Sequence, residues 1–223
     1  MRWAKVISFV LSSVVVLWGA TANADLTNGG FETGLTGWTI TGTVQVMSDE
    51  YSRDFLGLPQ APASGFWYPT QGSYFASLWS TDSLGTDAST LKQTFTTPSG
   101  TYVLQFDYFY DFGDVVPFED PARIYVKDAL GSPIFEMTIN DPIMGTGLGD
   151  DENIDWTTVS VVLPAAGTYT LGFEINDPAG AFESILGVDD VRVVPLPSAL
   201  LLGGLGLSFA GSLIGRLRGR RTS

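Results

Sequence analysis

The chain of 223 residues contains neither cysteine nor histidine. Without Cys there is no disulfide framework and no thiol nucleophile. Without His there is no imidazole base, which excludes Ser-His-Asp and Cys-His mechanisms and the usual zinc sites. Only oxygen ligands remain for a hard metal, so any bound metal is expected to be Ca²⁺. Cations are scarce as well: 11 Lys and Arg stand against 24 Asp and Glu, a net charge of −13. Six of the cations lie in the two ends of the chain, which hold no acid, so the body keeps five against 24, or −19. A body this acidic excludes nucleic-acid binding through phosphate neutralisation. Solubility outside the cell accounts for most of that charge, and divalent cations and neutral polymers remain as partners.

The ends read as targeting segments. The apolar run Val6 to Leu17 follows Arg2 and Lys5 and leads to Ala22-Asn23-Ala24, a small-x-small cleavage site. Residues 1–24 are therefore expected to be a secretory signal peptide, leaving Asp25 as the mature N-terminus. At the other end, Leu196 to Gly215 are 20 residues without charge, followed at once by Arg-Leu-Arg-Gly-Arg-Arg. As a helix this run spans about 30 Å, enough for a bilayer. The Arg cluster places the C-terminus in the cytoplasm.

The boundary before that run reads Val194-Pro195-Leu196-Pro197-Ser198-Ala199. A Val-Pro-x-Pro step, an apolar span and a terminal Arg cluster, in that order, resemble the PEP-CTERM class of sorting signals. The closest form is its Val-Pro-Leu-Pro-Ala variant. Leu196 stands where the commonest form has Glu, and Ser198 where the Leu variant usually has Ala. The resemblance covers residues 195–223 and implies processing by an exosortase, a multi-spanning membrane cysteine protease. It further implies a Gram-negative bacterium, transient anchoring in the inner membrane, and an envelope or biofilm-matrix destination. A plain membrane tail is the simpler alternative.

Between the ends, residues 25–194 follow a period of two rather than 3.6. Tyr102, Leu104, Phe106 and Tyr108 alternate with Val103, Gln105 and Asp107, and Tyr169, Leu171, Phe173 and Ile175 alternate with polar residues and Gly172. Shorter runs cover 44–47, 74–80, 91–97, 123–127, 134–139, 157–163 and 187–194, with Pro- and Gly-rich turns at 98–100, 129–133 and 164–167. Nine short strands punctuated this way predict an antiparallel β-sandwich. Residues 49–72, rich in Pro, Gly and aromatics, and 140–155, rich in Gly and acids, read as its long loops.

Two motifs bracket this body: Asn28-Gly29-Gly30-Phe31-Glu32-Thr33-Gly34, with Gly37-Trp38 after it, and Gly187-Val188-Asp189-Asp190-Val191-Arg192-Val193. Together they resemble the opening and closing strands of jelly-roll carbohydrate-binding modules attached to glycanases. That resemblance spans nearly the whole body and implies a jelly roll. By it Asp189 lies beside the first strand, and the first acid of the Asp189-Asp190 pair ligates a metal.

Three kinds of chemistry compete. A glycosidase needs two carboxylates at about 5–9 Å, and with 24 acids such a pair is available in principle, yet none stands in a catalytic context; an enzyme ranks third. Sugar binding needs exposed aromatic faces beside amides or carboxylates. Phe66-Trp67-Tyr68 with Gln71 is the best such cluster, and Trp79 at a strand end is second. Trp67 serves equally well as core or as ligand contact, whereas Trp38 and Trp156 read as core. A structural or adhesive role without a sugar site is the runner-up, to be decided by the exposure of Trp67 and Tyr68. For a structural Ca²⁺ the expected ligands are Asn28, Glu32 and Asp189, with carbonyls freed by the intervening glycines. Asp150-Asp151-Glu152 with Asp155 reads as a solvated loop, and Asp111-Phe112-Gly113-Asp114 as a chance match to a kinase metal motif.

Overall fold

The computed structural model describes residues 24–51, 65–80, 88–112, 120–139, 153–176 and 184–196. The signal segment, most of the C-terminal tail, and the acidic run 150–152 lie outside these residues.

All twelve elements are strands. They are β1 Thr39–Thr41, β2 Thr43–Met47, β3 Glu50–Tyr51, β4 Phe66–Trp67, β5 Phe75–Trp79, β6 Ser89–Thr97, β7 Tyr102–Asp111, β8 Ala122–Asp128, β9 Pro133–Ile139, β10 Ile154–Leu163, β11 Gly167–Ile175 and β12 Ile185–Pro195. Each of the nine strands expected from the period-two pattern is present. The three additional ones are β1, β3 and β4, two or three residues each.

Two five-stranded antiparallel sheets face one another. The first has the order β1-β6-β11-β8-β9 and the second β10-β7-β12-β5-β2, while β3 and β4 form a separate small hairpin. The alternation that marks the strands decides what each face carries, because successive side chains point to opposite sides. Leu104, Phe106, Tyr108 and Tyr110 of β7 point inward to meet Leu91, Phe95, Ile124, Val126, Leu171 and Phe173 of the first sheet. Phe106 and Phe173 meet edge to face at 5.3 Å across the layers. The intervening residues of β7, among them Gln105, Asp107 and Phe109, consequently face outward from the second sheet.

The N-terminal segment closes one flank. Asn28 and Phe31 both adopt positive φ, 50° and 56°. Asn28 holds its own loop: its Oδ1 accepts from Thr33 N at 3.1 Å, and its Nδ2 donates to Gly34 O at 2.8 Å and Thr36 O at 3.1 Å. Trp38 donates from Nε1 to Asn28 O and packs with Phe31 and Phe173, so it is core as expected. Val191 N donates to Gly29 O at 3.0 Å, which ties the opening motif to the last strand.

Candidate functional site

The outward face of the second sheet divides into zones along the strands. Toward the end where β12 begins, it is aromatic. Phe109 of β7 lies opposite Gly187 of β12, and a Cβ at Gly187 would collide with its ring. Only a residue without a side chain lets that ring lie across the neighbouring strand. Trp67 stacks on it, with centroids 4.4 Å apart and planes at 4°. Trp156 and Phe75 enclose Phe109 edge to face at 4.8 and 5.6 Å. Ile185 completes the buried cluster, with Met47, Trp79 and Trp156 packed against it.

This corrects one expected binding residue. Trp67 is 1% exposed, a core residue of the hairpin that β3 and β4 form over this zone, and its ring face is taken by Phe109. The reason is the pleat: in Phe66-Trp67-Tyr68 the middle residue points down and its neighbours point out. Tyr68 is 56% exposed and Phe66 is also exposed, with ring centroids 6.3 Å apart. Trp79 packs into the aromatic cluster as well. Trp156, expected in the sandwich core, is half-buried on this outward face instead. The sealed zone also holds the indole Nε1 of Trp67 and of Trp156 and the Ser77 hydroxyl without hydrogen-bond partners. Each such group costs about 1–3 kcal/mol when buried, so the zone is held by stacking and not by polar bonds.

Midway along the same strands the face becomes polar and open. Asp107 of β7 pairs in register with Asp189 of β12 on one side and Thr158 of β10 on the other. Thr158 Oγ1 donates to Asp107 Oδ1 at 2.6 Å. One step on, Gln105 lies between Ser160 and Arg192. Its Nε2 bonds Ser160 Oγ at 3.0 Å, and Arg192 Nε donates to its Oε1 at 3.3 Å. Arg192 also pairs with Asp190. These are flat rows of amide, carboxylate, hydroxyl and guanidinium groups, the donors and acceptors that sugar hydroxyls require.

The segment 68–74 borders these rows, and two acids hold it. Asp189 is fully buried, and its Oδ2 accepts from Thr70 N at 2.8 Å, Thr70 Oγ1 at 3.1 Å and Gln71 N at 2.9 Å. Its Oδ1 accepts from Asp190 N at 2.7 Å. Burial pushes its carboxyl up to about 6; the bonds from Gln71 and Thr70 oppose this, and nearby Asp107 adds to it. Glu32 Oε1 accepts from Ser73 N at 2.7 Å and Tyr74 N at 3.1 Å. Asp190 has positive φ, 48°, within the register shift between Asp189 and Arg192. This bulge inserts a residue, so Asp189 and Arg192 both face outward.

The expected metal ligands therefore fall at one corner. Glu32 and Asp189 grip the same turn from either side, and Asn28 organises the loop that delivers Glu32. Their bound oxygens are engaged by N–H donors and the Thr70 hydroxyl, and no three acidic side chains gather as a metal cluster among the described residues. The donor chemistry nevertheless fits an oxygen-seeking cation. Gln71 Oε1 lies 2.3 Å from where a Gly30 Cβ would stand, too close to admit one, and Asp189 Oδ1 lies 3.9 Å from the same point. An amide oxygen and a buried carboxylate oxygen thus converge over a glycine.

Of the expected sugar-binding residues, the structure leaves Tyr68 and Gln71 at the surface, and buries Trp67 and Trp79 wholly or in part. Phe66 of the expected cluster is exposed as well, and the structure adds Gln105, Asp107, Thr158, Ser160 and Arg192, which sequence reasoning did not single out. Alternation in β7 and β10 marks their outward positions, but the pairing that aligns them is visible only in the register.

No protein-family model and no curated protein sequence matches this chain. Among solved structures, the chain is similar to the carbohydrate-binding module TmCBM61 in complex with β-1,4-galactotriose. That match has a TM-score of 0.45 and 20% identity, over 79% of this chain and all of the other. The K3 cleaved adhesin domain of Lys-gingipain from Porphyromonas gingivalis gives 0.44 and 16%, over 74% and 97%. The mannan-recognising module TmCBM27 gives 0.37 and 13%, over 73% and 91%.

Proposed function

We propose that the chain is an exported, non-catalytic β-sandwich of the cell envelope or extracellular matrix that binds polysaccharide on the open half of the second sheet's outward face. The observation that carries this reading is the juxtaposition of the exposed Phe66–Tyr68 pair with the hydrogen-bonded rows Asp107–Thr158 and Arg192–Gln105–Ser160. Thr70 and Gln71 bond Asp189, the register partner of Asp107, so the aromatic segment lies directly beside those rows. Apolar ring faces next to planar polar groups match the amphipathic surface of a pyranose. The acidic body favours a neutral polysaccharide over an anionic one. A glycan array probed with the mature chain tests this: retention of neutral glycans supports it, and an empty array contradicts it.

The burial of Trp67 favours a second reading, a structural or adhesive matrix protein without a sugar site, which the same empty array would leave standing. In both readings the chain is delivered by its signal peptide and then processed at the Val194-Pro195-Leu196-Pro197 signal by an exosortase-type protease. Mass spectrometry of surface protein should find the peptide beyond about Pro197 missing, and intact Arg216 to Ser223 would contradict this. In both, too, a structural Ca²⁺ at the Asn28, Glu32 and Asp189 corner would compensate the buried carboxylate and fix the 70–74 turn. Gln71 is a further oxygen donor there.

A further inference from the structure

The segments that connect the strands at the two ends of the sandwich differ sharply in charge by sequence. At one end lie the β6–β7 turn (98–101), the β8–β9 turn (129–132) and the β10–β11 turn (164–166). The register puts them together: Thr97 pairs with Gly167, and Asp128 with Tyr169. Pro195 pairs with Tyr102 and Leu196 N donates to Thr101 O at 2.8 Å, so the chain leaves the fold here too. None of the three turns contains a charged residue. At the opposite end, the segments joining the strands (81–87, 113–119, 140–152 and 177–183) carry ten Asp and Glu in their sequence and no Lys or Arg.

The uncharged end is also apolar. Leu130 at the tip of its turn is 91% exposed. Val162 and Val194, 57% and 40% exposed, flank Val103 in the last outward row of the second sheet. The acids nearest this rim, Asp25 and Asp128, are turned onto the fold. Asp128 Oδ1 accepts from Leu130 N and Ser132 N, and Asp25 bonds Thr96. Lys127 sits over the Tyr125 ring at 4.4 Å.

We propose that this end is a membrane-docking surface: while the tail is intact, the sandwich stands on a lipid bilayer on its Leu130, Pro164–Ala166 and Val162–Val194 rim. The inference rests on the reading of 196–215 as a membrane span. That apolar run begins at Leu196, the residue hydrogen-bonded to Thr101, so no linker separates the sheet from the span. The fold is therefore held within a residue or two of the lipid surface, and its exit end must meet the headgroups. An apolar rim whose turns carry no charge suits that position, since it brings no acid to the headgroups. It follows that the polar rows on the second sheet's side remain accessible, and that a processing protease meets a cleavage region already pressed against the bilayer.

The chain has no cysteine, so single labels are unambiguous. Full-length Leu130→Cys, Ala165→Cys and Ile40→Cys variants carry a bimane label and are reconstituted into phosphatidylcholine vesicles containing a nitroxide-headgroup phosphatidylcholine. Ile40 is exposed and pairs with Leu91, six residues or about 20 Å from the rim at Thr97. The proposal expects the protein to float with the vesicles, with loss of fluorescence at positions 130 and 165 and none at 40. Flotation with all three labels equally bright would overturn the docking surface while leaving the span intact. Failure to float would overturn the span and the docking surface together.

Discussion

The aromatic and polar parts of the second sheet's outward face run along the same strands, yet one is sealed and the other open. The sealed part has a glycine, Gly187, under a ring, Phe109, and a second ring, Trp67, over it. The open part has side chains that bond sideways to one another, Asp107 to Thr158 and Gln105 to Ser160, and leave their upper edges free. Stacked rings need a cover because their faces have no better partner than another ring. Polar rows need none, because water satisfies them until a ligand replaces it. Stability is thus concentrated in the first part and recognition in the second.

The largest test of that division is Trp67→Ala, which removes the cover. A buried aromatic typically costs about 3–5 kcal/mol, so the melting temperature should fall by roughly 6–20 °C in calorimetry. A surface-like loss below about 0.5 kcal/mol would show that the hairpin does not seal the zone. Gly187→Ala should fall between these limits, at about 1–3 kcal/mol, since the Phe109 ring must move to admit a methyl group.

Next in size is the corner beside the polar rows. With calcium at a hundredfold its dissociation constant, the metal would stabilise the fold by about 2.7 kcal/mol, roughly 5–10 °C in melting temperature. Identical melts in excess EDTA and in millimolar Ca²⁺ would remove the metal, as would a Glu32→Gln variant with an undiminished calcium response.

In EDTA the same corner should respond to acid. The Asp189 carboxyl is raised from 3.8 to about 6, so the folded state binds its proton more tightly than the unfolded state. Its contribution therefore grows as the pH falls from 7 toward 4 and is lost as the pH rises through 6, by an amount on the order of 2 kcal/mol. Other carboxylates add their own slopes, so the readout is the difference between the parent and Asp189→Asn. Parallel pH profiles for the two proteins would contradict the burial argument.

Much of this was legible in the sequence. The nine longer strands follow from period-two alternation between Gly- and Pro-bearing turns, and the two bracketing motifs announced that the first and last segments meet. The short strands were not legible: Thr39–Thr41 has one apolar residue, and β3 and β4 have two residues each, too few to show a period. The orientation of Trp67 was undecided for the same reason, because a two-residue strand takes its facing from what lies beneath it. Gln105, Asp107, Thr158 and Ser160 were visibly outward, but only register makes them neighbours. Register between β7 and β10 depends on a bulge between Ile154 and Thr157 that no residue pattern marks.

The smallest effects on stability should bring the largest on binding. Tyr68→Ala and Asp107→Ala alter exposed or half-buried groups, and each should shift stability by little. At a recognition hot spot, loss of a stacked aromatic costs about 2 kcal/mol or more in affinity. Affinity electrophoresis through gels containing a neutral polysaccharide retained on the array addresses the central claim most directly. The account predicts that the parent and a first-sheet control, Thr94→Ala, are retarded alike, while Tyr68→Ala and Asp107→Ala migrate as in an empty gel. Retardation that survives both of those substitutions would contradict it.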